Sequence, residues 1–339
     1  MVIEEGAARG RRRRRRPLRW VLTSLLLIGA VVAGLVLWNR NHLGESAEEC
    51  AVTQPGGKPV TMDLDQGSNA ATIAAVTIAR GLPERALTIA LATGMQESKL
   101  HNLAGGDRDS VGLFQQRPSQ GWGTEQQIMD PVYATNKFLD ALVKVPGYAR
   151  LPLTEAAQDV QKSGYPGAYA KHETNATLLA EALTGRTQAT FSCTVHSFAQ
   201  PDPVDADAAS PNGTASPAAA PSGAQLVTIQ VQREFGKAVT AGPASGSPAT
   251  SGAAAQQALA LTPDPATSSD SGPNAPLQSG WAVAQWAVAH AQELGIGTVA
   301  YNGKVWRVDH SSDGWQALAS ATSTSQVLVT LGMPSTAKH

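Results

Sequence analysis

Between Gly94 and Gly123 the sequence reads GMQESKLHNLAGGDRDSVGLFQQRPSQGWG. One acid, Glu97, closes the apolar run LTIALATGM. A carboxylate in such a place is costly unless it is exposed or put to use. A carboxyl among apolar neighbours also holds its proton to higher pH, which is what general acid catalysis requires. The groups that follow suit a sugar polymer. Asn102, Gln115 and Gln116 can exchange hydrogen bonds with hydroxyls and acetamides, Phe114 and Trp122 offer flat faces, and Gly112 leaves room for a chain to approach. Asp107 and Asp109 are the nearby carboxylates for a second catalytic role. The competing reading is structural: a helix-terminal Glu97 paired with Lys99 or Arg117. No metal or cofactor is expected, because the only cysteines are Cys50 and Cys193 and the histidines His101, His172 and His196 lack a short ligand spacing.

The elements that must position these groups read as helices. Asn69 to Arg80 is alanine-rich, with Asn69 as a candidate cap, and Gly81 to Pro83 breaks it. A second helix runs from Glu84 to Ser98, apolar nearly all round and therefore buried. His101 to Ser110 reads as loop and Ser110 to Gln116 as partly extended. Asp130-Pro131 opens a further helix, Leu153 to Val160 another with Thr154 as cap, and Tyr169 to Gly185 a last one, after a turn carrying Tyr165 and Tyr169. Cys50 and Cys193 bracket this block, and a disulfide between them is expected in an oxidising compartment.

The flanks differ in texture. Residues 1–19 carry eight arginines against two glutamates, a charge of +6 (8 minus 2). Val21 to Trp38 holds no charge for eighteen residues, about 27 Å of helix against a hydrocarbon core of roughly 30 Å. A basic tail (1–19), a transmembrane anchor (20–38) and a spacer (39–68) are expected, with the N-terminus cytoplasmic and the bulk extracellular. A cleaved signal peptide is the alternative. The arginine block reads as a topology and phospholipid signal; residues 45–190 carry 16 acids and 12 bases, a net −4, which argues against a nucleic-acid partner. Residues 194–279 are rich in Pro, Ala, Ser and Gly and read as linker. Within them Val227, Ile229 and Val231 alternate with polar residues as in a strand. Residues 280–332 read as a small tail domain: a helix from Trp281, then a hairpin turning at Asn302-Gly303. Its four tryptophans, Trp281, Trp286, Trp306 and Trp315, serve either as core filling or as an aromatic binding face.

The sequence ES, a loop, and then GLFQ resembles lysozyme-like muramidases, above all soluble lytic transglycosylases and the resuscitation-promoting type of actinobacterial wall enzyme. The resemblance covers about 69–190. It implies that Glu97 is the catalytic acid/base, that Ser98 supports the site, and that Gly112, Leu113, Phe114 and Gln115 line a cleft. The turn at Tyr165 to Tyr169 falls where the family carries an aromatic motif facing the cleft, usually Tyr-Asn, a dipeptide this domain lacks. The expected fold class is mainly α: a lysozyme-like α+β domain (69–193) after a single N-terminal transmembrane helix, with a small helix-plus-hairpin C-terminal domain. The implied function is cleavage of peptidoglycan glycan strands at the outer face of the cytoplasmic membrane, by transglycosylation or hydrolysis. The alternative is a non-catalytic, membrane-anchored peptidoglycan-binding or scaffold protein.

Overall fold

The computed structural model describes residues 28–32, 34, 47–54, 56–199, 222–244, 258–264, 274–319 and 322–332. The chain divides into a unit Met1–Ala47 and a compact unit Glu48–His339. In the first, the described residues 28–32 and 34 are helical. The expected anchor over 20–38, and with it the single-pass membrane location, is corrected: no helix among the described residues is long and apolar enough to cross a membrane. The rest of 20–38 lies outside the described residues.

The compact unit is mixed α/β with two antiparallel sheets, which corrects the mainly α expectation. Three short strands, β1 (Glu49–Val52), β2 (Val60–Met62) and β3 (Phe191–Thr194), form the first sheet in the order β2-β1-β3. Cys50 stands directly opposite Cys193 in its register, and the two form the expected disulfide.

The helices between the cysteines are α1 (Leu64–Ala79), α2 (Glu84–Glu97), the short α3 (Glu125–Ile128), α4 (Pro131–Leu142), α5 (Leu153–Gln161) and α6 (Glu173–Leu183). Helix α1 starts five residues before the sequence suggested, at a turn where Asp63 N donates to Gln66 Oε1 at 2.7 Å. Asn69 is therefore inside the helix and caps nothing. Asp130 does cap α4, its carboxylate accepting from Val132 N at 3.0 Å. Thr154 lies inside α5 and donates to the carbonyl of Pro166. Ala86 to Gly94 of α2 are buried without a break, so this helix is the axis of the first half.

The stretch expected to be linker folds where it is described. Helix α7 (Gly223–Phe235) is capped by Ser222, and β4 (Val239–Pro243) and β5 (Ala258–Pro263) follow. Then come α8 (Ala275–Ala289), α9 (Ala291–Leu294), β6 (Ile296–Tyr301), β7 (Lys304–Arg307), β8 (Gln316–Ala317) and β9 (Val327–Leu331). Their sheet has the order β4-β5-β9-β6-β7-β8, with the β6–β7 turn at Asn302 and Gly303, both at positive φ. The strand expected around Val227 is a helix because the effective spacing there is four. Val227, Val231 and Phe235 face inward, whereas Ile229 is 49% exposed.

This second half is not a tethered tail. One hydrophobic core runs through both halves, from Leu91 and Phe138 to Trp286 and Val329. Trp306 Nε1 donates to Cys193 O at 3.0 Å and Trp315 Nε1 to Phe191 O at 2.8 Å. Gln285 Oε1 accepts from the backbone of Thr190 and Phe191. Trp281, Trp286 and Trp306 are at most 1% exposed and Trp315 packs against the core, so the tryptophans fill the interior and form no binding face.

Candidate active site

Helix α2 ends at Glu97 because the chain reverses sharply behind it. Lys99 and Leu100 sit at φ 56° and 65°, two consecutive non-glycine residues in the left-handed region, at roughly 1–2 kcal/mol each. The reversal is closed by bonds from Ser98 N and Leu100 N to Gly94 O, at 3.0 and 3.1 Å, the pattern that ends helices with a left-handed turn. Leu100 folds back and is 3% exposed. A Cβ at Gly94 would lie 2.9 Å from its Cδ2, so glycine at 94 leaves room for the Leu100 side chain.

Glu97 is half-buried, and its Oε1 accepts a hydrogen bond of 2.6 Å from the Tyr169 hydroxyl. Tyr169 is fully buried and directly precedes a 3-10 turn, Ala170–His172, that leads into α6. Burial pushes its hydroxyl well above the ordinary tyrosine range, and the bond to Glu97 adds to the shift. Tyr169 is thus a donor fixed on the carboxylate. Neither Lys99 nor Arg117 plays the structural role considered for them: Arg117 Nε pairs with Asp109 at 3.2 Å. One helical turn further on, His172 Nε2 lies 3.2 Å from Gln96 Oε1, its pKa lowered by burial and by Lys171.

The GLFQ element is joined to Glu97 through its neighbour. Ser98 Oγ lies 2.7 Å from Leu113 O and 3.1 Å from Gly94 O, in a buried position. Ser98 therefore ties the helix end to the element and offers no surface to a ligand. Gly112 is at φ 78°, and a Cβ there would lie 2.7 Å from Ile128 O. Its smallness accommodates protein backbone, not a glycan. Phe114 is fully buried and stacked on Phe138, with ring centroids 4.7 Å apart. Gln116 is 2% exposed and pairs with Val111 in an isolated β-bridge, while its Nε2 donates to Ala134 O at 3.2 Å. Phe114 and Gln116 are core and scaffold, against the expectation that they contact a sugar.

Gln115 is half-buried, its Oε1 3.1 Å from Ser110 Oγ and its Nε2 3.1 Å from Gly112 O. Asn102 donates to Met129 O at 2.7 Å, and its Oδ1 is buried with no partner among the described residues. Trp122 is half-buried against the core. Tyr165 is 80% exposed on the turn before Tyr169. Of the two tyrosines, then, Tyr169 meets Glu97.

The second carboxylates fall apart in role. Asp109 accepts from Ser119 N at 2.8 Å, Ser119 Oγ at 3.0 Å and Arg117 Nε. Those bonds, the Ser119 backbone first, bring its pKa down to about 2. It braces the loop and is a weak base. Asp107 is exposed and contributes its backbone carbonyl to Ser110.

Sequence reasoning missed the residues that hold the turn behind Glu97. Gln66 Nε2 donates to Lys99 O at 2.7 Å, Asn69 Nδ2 to Leu100 O at 2.8 Å, and Asp65 Oδ2 lies 2.6 Å from His101 Nδ1. It also missed Gln161, whose Nε2 donates to Phe114 O at 2.9 Å. Each partner is more than thirty residues away, beyond the reach of any local pattern.

A family model described as VldE, C-terminal domain, matches residues 218–328, 111 of the 339 residues. The match spans α7 to β8 and the start of β9, so it coincides with the second half of the fold and not with the 280–332 tail drawn from the sequence. No curated protein matches the chain.

Proposed function

We propose that the protein cleaves the glycan strands of peptidoglycan, with Glu97 as the proton donor. The observation that carries this reading is the Tyr169–Glu97 pair: a half-buried carboxylate at the end of a buried helix, with one oxygen held by a fixed hydroxyl. The resemblance of the ES and GLFQ segments supplies the substrate class, and Ser98 ties those two segments together. The disulfide fits an oxidising compartment.

In this reading Glu97 gives its proton to the glycosidic oxygen between N-acetylmuramic acid and N-acetylglucosamine as the bond to C1 breaks. The carboxylate left behind is stabilised by the Tyr169 hydroxyl, whose raised pKa keeps it a donor. A hydrolase uses a second carboxylate to activate water or to hold the sugar cation. Asp109 is committed to Ser119 and Arg117 and is a poor base. The transglycosylase route is therefore favoured. The C6 hydroxyl of the muramic residue attacks C1, its proton passes to Glu97, and a 1,6-anhydro end forms while the other strand leaves as an alcohol.

The test is incubation of the full chain with purified peptidoglycan between pH 5 and 8, followed by mass spectrometry of the soluble products. Fragments lighter by one water than hydrolysis products are expected, and Glu97→Gln should lower their release by roughly 10²-fold or more. Reducing ends would shift the reading to hydrolysis. Wild-type release by Glu97→Gln would remove Glu97 from the chemistry, and binding without release would leave a peptidoglycan-binding protein.

A further inference from the structure

The seam between the two halves carries a chain of buried polar contacts that the chemistry above does not use. Glu234 is 1% exposed, yet its carboxylate accepts from Thr72 Oγ1 at 2.8 Å, Gln230 Nε2 at 2.6 Å and Trp286 Nε1 at 2.6 Å. His290, also 1% exposed, stands between Glu234 and Glu293, 3.6 Å from the first and 3.2 Å from the second. Glu293 in turn accepts from Ser68 Oγ at 2.8 Å. Both first-half contacts, Ser68 and Thr72, belong to α1 and lie one helical turn apart. The same helix holds the reversal behind Glu97 through Asp65, Gln66 and Asn69. Residues 65, 69 and 72 follow one stripe of the helix, and 68 lies beside it.

We propose that the second half is a positioning brace for Glu97: Glu293 and Glu234, organised by His290, grip Ser68 and Thr72 on α1, and the neighbouring side chains of α1 hold residues 99–101 in the left-handed turn that ends α2. The turn needs such support. Two non-glycine residues in that conformation persist only where surrounding structure over-determines them. A cavity of about 100 Å³, lined by Asn69, Thr72, Arg233, Glu234, His290 and Glu293 among others, lies along the same seam. Loosening either glutamate gives water a place from which to compete for Asn69 and Thr72. Ser68, Glu293 and His290 are thus positioning residues, acting through α1 and touching no substrate. The consequence for turnover rests on the reading of Glu97 given above; the mechanical claim does not.

The test uses the full chain and reads hydrogen exchange by mass spectrometry at residues 98–103. There the amides of Leu100 and His101 are bonded to Gly94 O and Ser98 O. Asn69→Ala, at the clamp itself, sets the maximum effect. Ser68→Ala is expected to raise exchange at Leu100 and His101 about tenfold, the equilibrium worth of one buried hydrogen bond. Glu293→Gln, which takes the charge from the Ser68 bond and from the pairing with His290, is expected to raise it in the same direction. Trp315→Phe, which cuts a bond between the halves at β3, should leave these amides at the wild-type rate. If the brace serves Glu97, Ser68→Ala and Glu293→Gln also lower kcat with KM unchanged. Exchange that rises in Asn69→Ala but not in Ser68→Ala or Glu293→Gln would overturn the brace, as would exchange that rises equally in Trp315→Phe. If exchange rises as expected but no protein, wild type included, releases glycan, the brace stands and the catalytic reading falls. Should Glu293→Gln fail to fold, the milder Ser68→Ala decides.

Discussion

Removing the charge of His290 should change how stability depends on alkaline pH, and the structure sets the size of the change. Burial alone would lower the pKa of this imidazole, but the carboxylates of Glu234 and Glu293 on either side reverse the effect and bring it to about 10. The unfolded chain titrates near 6.5. A folded-state value above the unfolded one stabilises fully below about pH 6.5 and is lost as pH rises through about 10. Between pH 7.5 and 9.5 the native protein holds one more proton than the unfolded chain, so stability falls by about 1.4 kcal/mol per pH unit, about 3 kcal/mol in all. Other shifted groups act outside this window. His172, with its lowered pKa, works below about 6.5, and Glu234 and Glu293, both lowered, work below about 4.5. Tyr169 and Tyr301, both raised by burial, work above about 10. The reference is the double variant His290→Gln with Glu234→Gln, which leaves neither charge of that pair alone in the interior. Urea denaturation at pH 7.5, 8.5 and 9.5 measures the difference. Tryptophan fluorescence follows the transition, since Trp281, Trp286 and Trp306 are all buried in the core. His290→Gln alone strands the Glu234 carboxylate and should cost about 3–5 kcal/mol at pH 7.5. Equal slopes with pH in the wild type and the double variant would refute a protonated His290.

Three further outcomes follow. Tyr169→Phe removes the donor on Glu97 and should lower glycan turnover by roughly 10- to 100-fold, the range for a hydrogen bond to a charged group; a wild-type rate would show the pair to be incidental. Phe114→Ala should cost about 3–5 kcal/mol in urea denaturation, as for a large core residue; a raised KM at unchanged stability would instead make Phe114 a sugar platform. Truncation after residue 199 strips the cover from α1 and β3 and should give a protein without near-UV circular dichroism, whereas a fully folded fragment would restore the picture of independent domains.

How much of this was legible in the sequence depends on the distance over which the determining contacts act. Glu97, Ser98 and GLFQ are readable because a helix end and its closing turn are local, and the disulfide because two cysteines leave one pairing. The choice between Tyr165 and Tyr169 was not readable. Both lie in SGYPGAY, and only the 3-10 turn at Ala170 aims one of them at Glu97. Phe114 and Gln116 were misjudged because residue type cannot say on which side of an isolated bridge a side chain falls. The second half failed for another reason. Val227, Ile229 and Val231 fit a period of two over five residues, but Ser222 and Gln225 cap a helix in which Val227, Val231 and Phe235 recur every four. A short apolar run fits both periods, and the cap was the deciding signal.

The strongest missed signal was helix α8. Residues 280–289, GWAVAQWAVA, are buried without exception, including Gln285 at 0% exposure. A helix that is apolar all round must be covered all round. A hairpin and one strand can cover a single face, so an independent tail of 280–332 had nothing to lay on the other. The sequence thus required that the opposite face of α8 meet something outside that segment, and in the structure it meets α1, α6 and β3. Gln285 marks the junction: its side chain bonds Ala182 O on one side and the backbone of Thr190 and Phe191 on the other. A polar residue in the centre of an all-apolar helix is tolerated only with such partners. Its presence in the sequence therefore already called for buried partners, and in the structure most of these come from outside the tail.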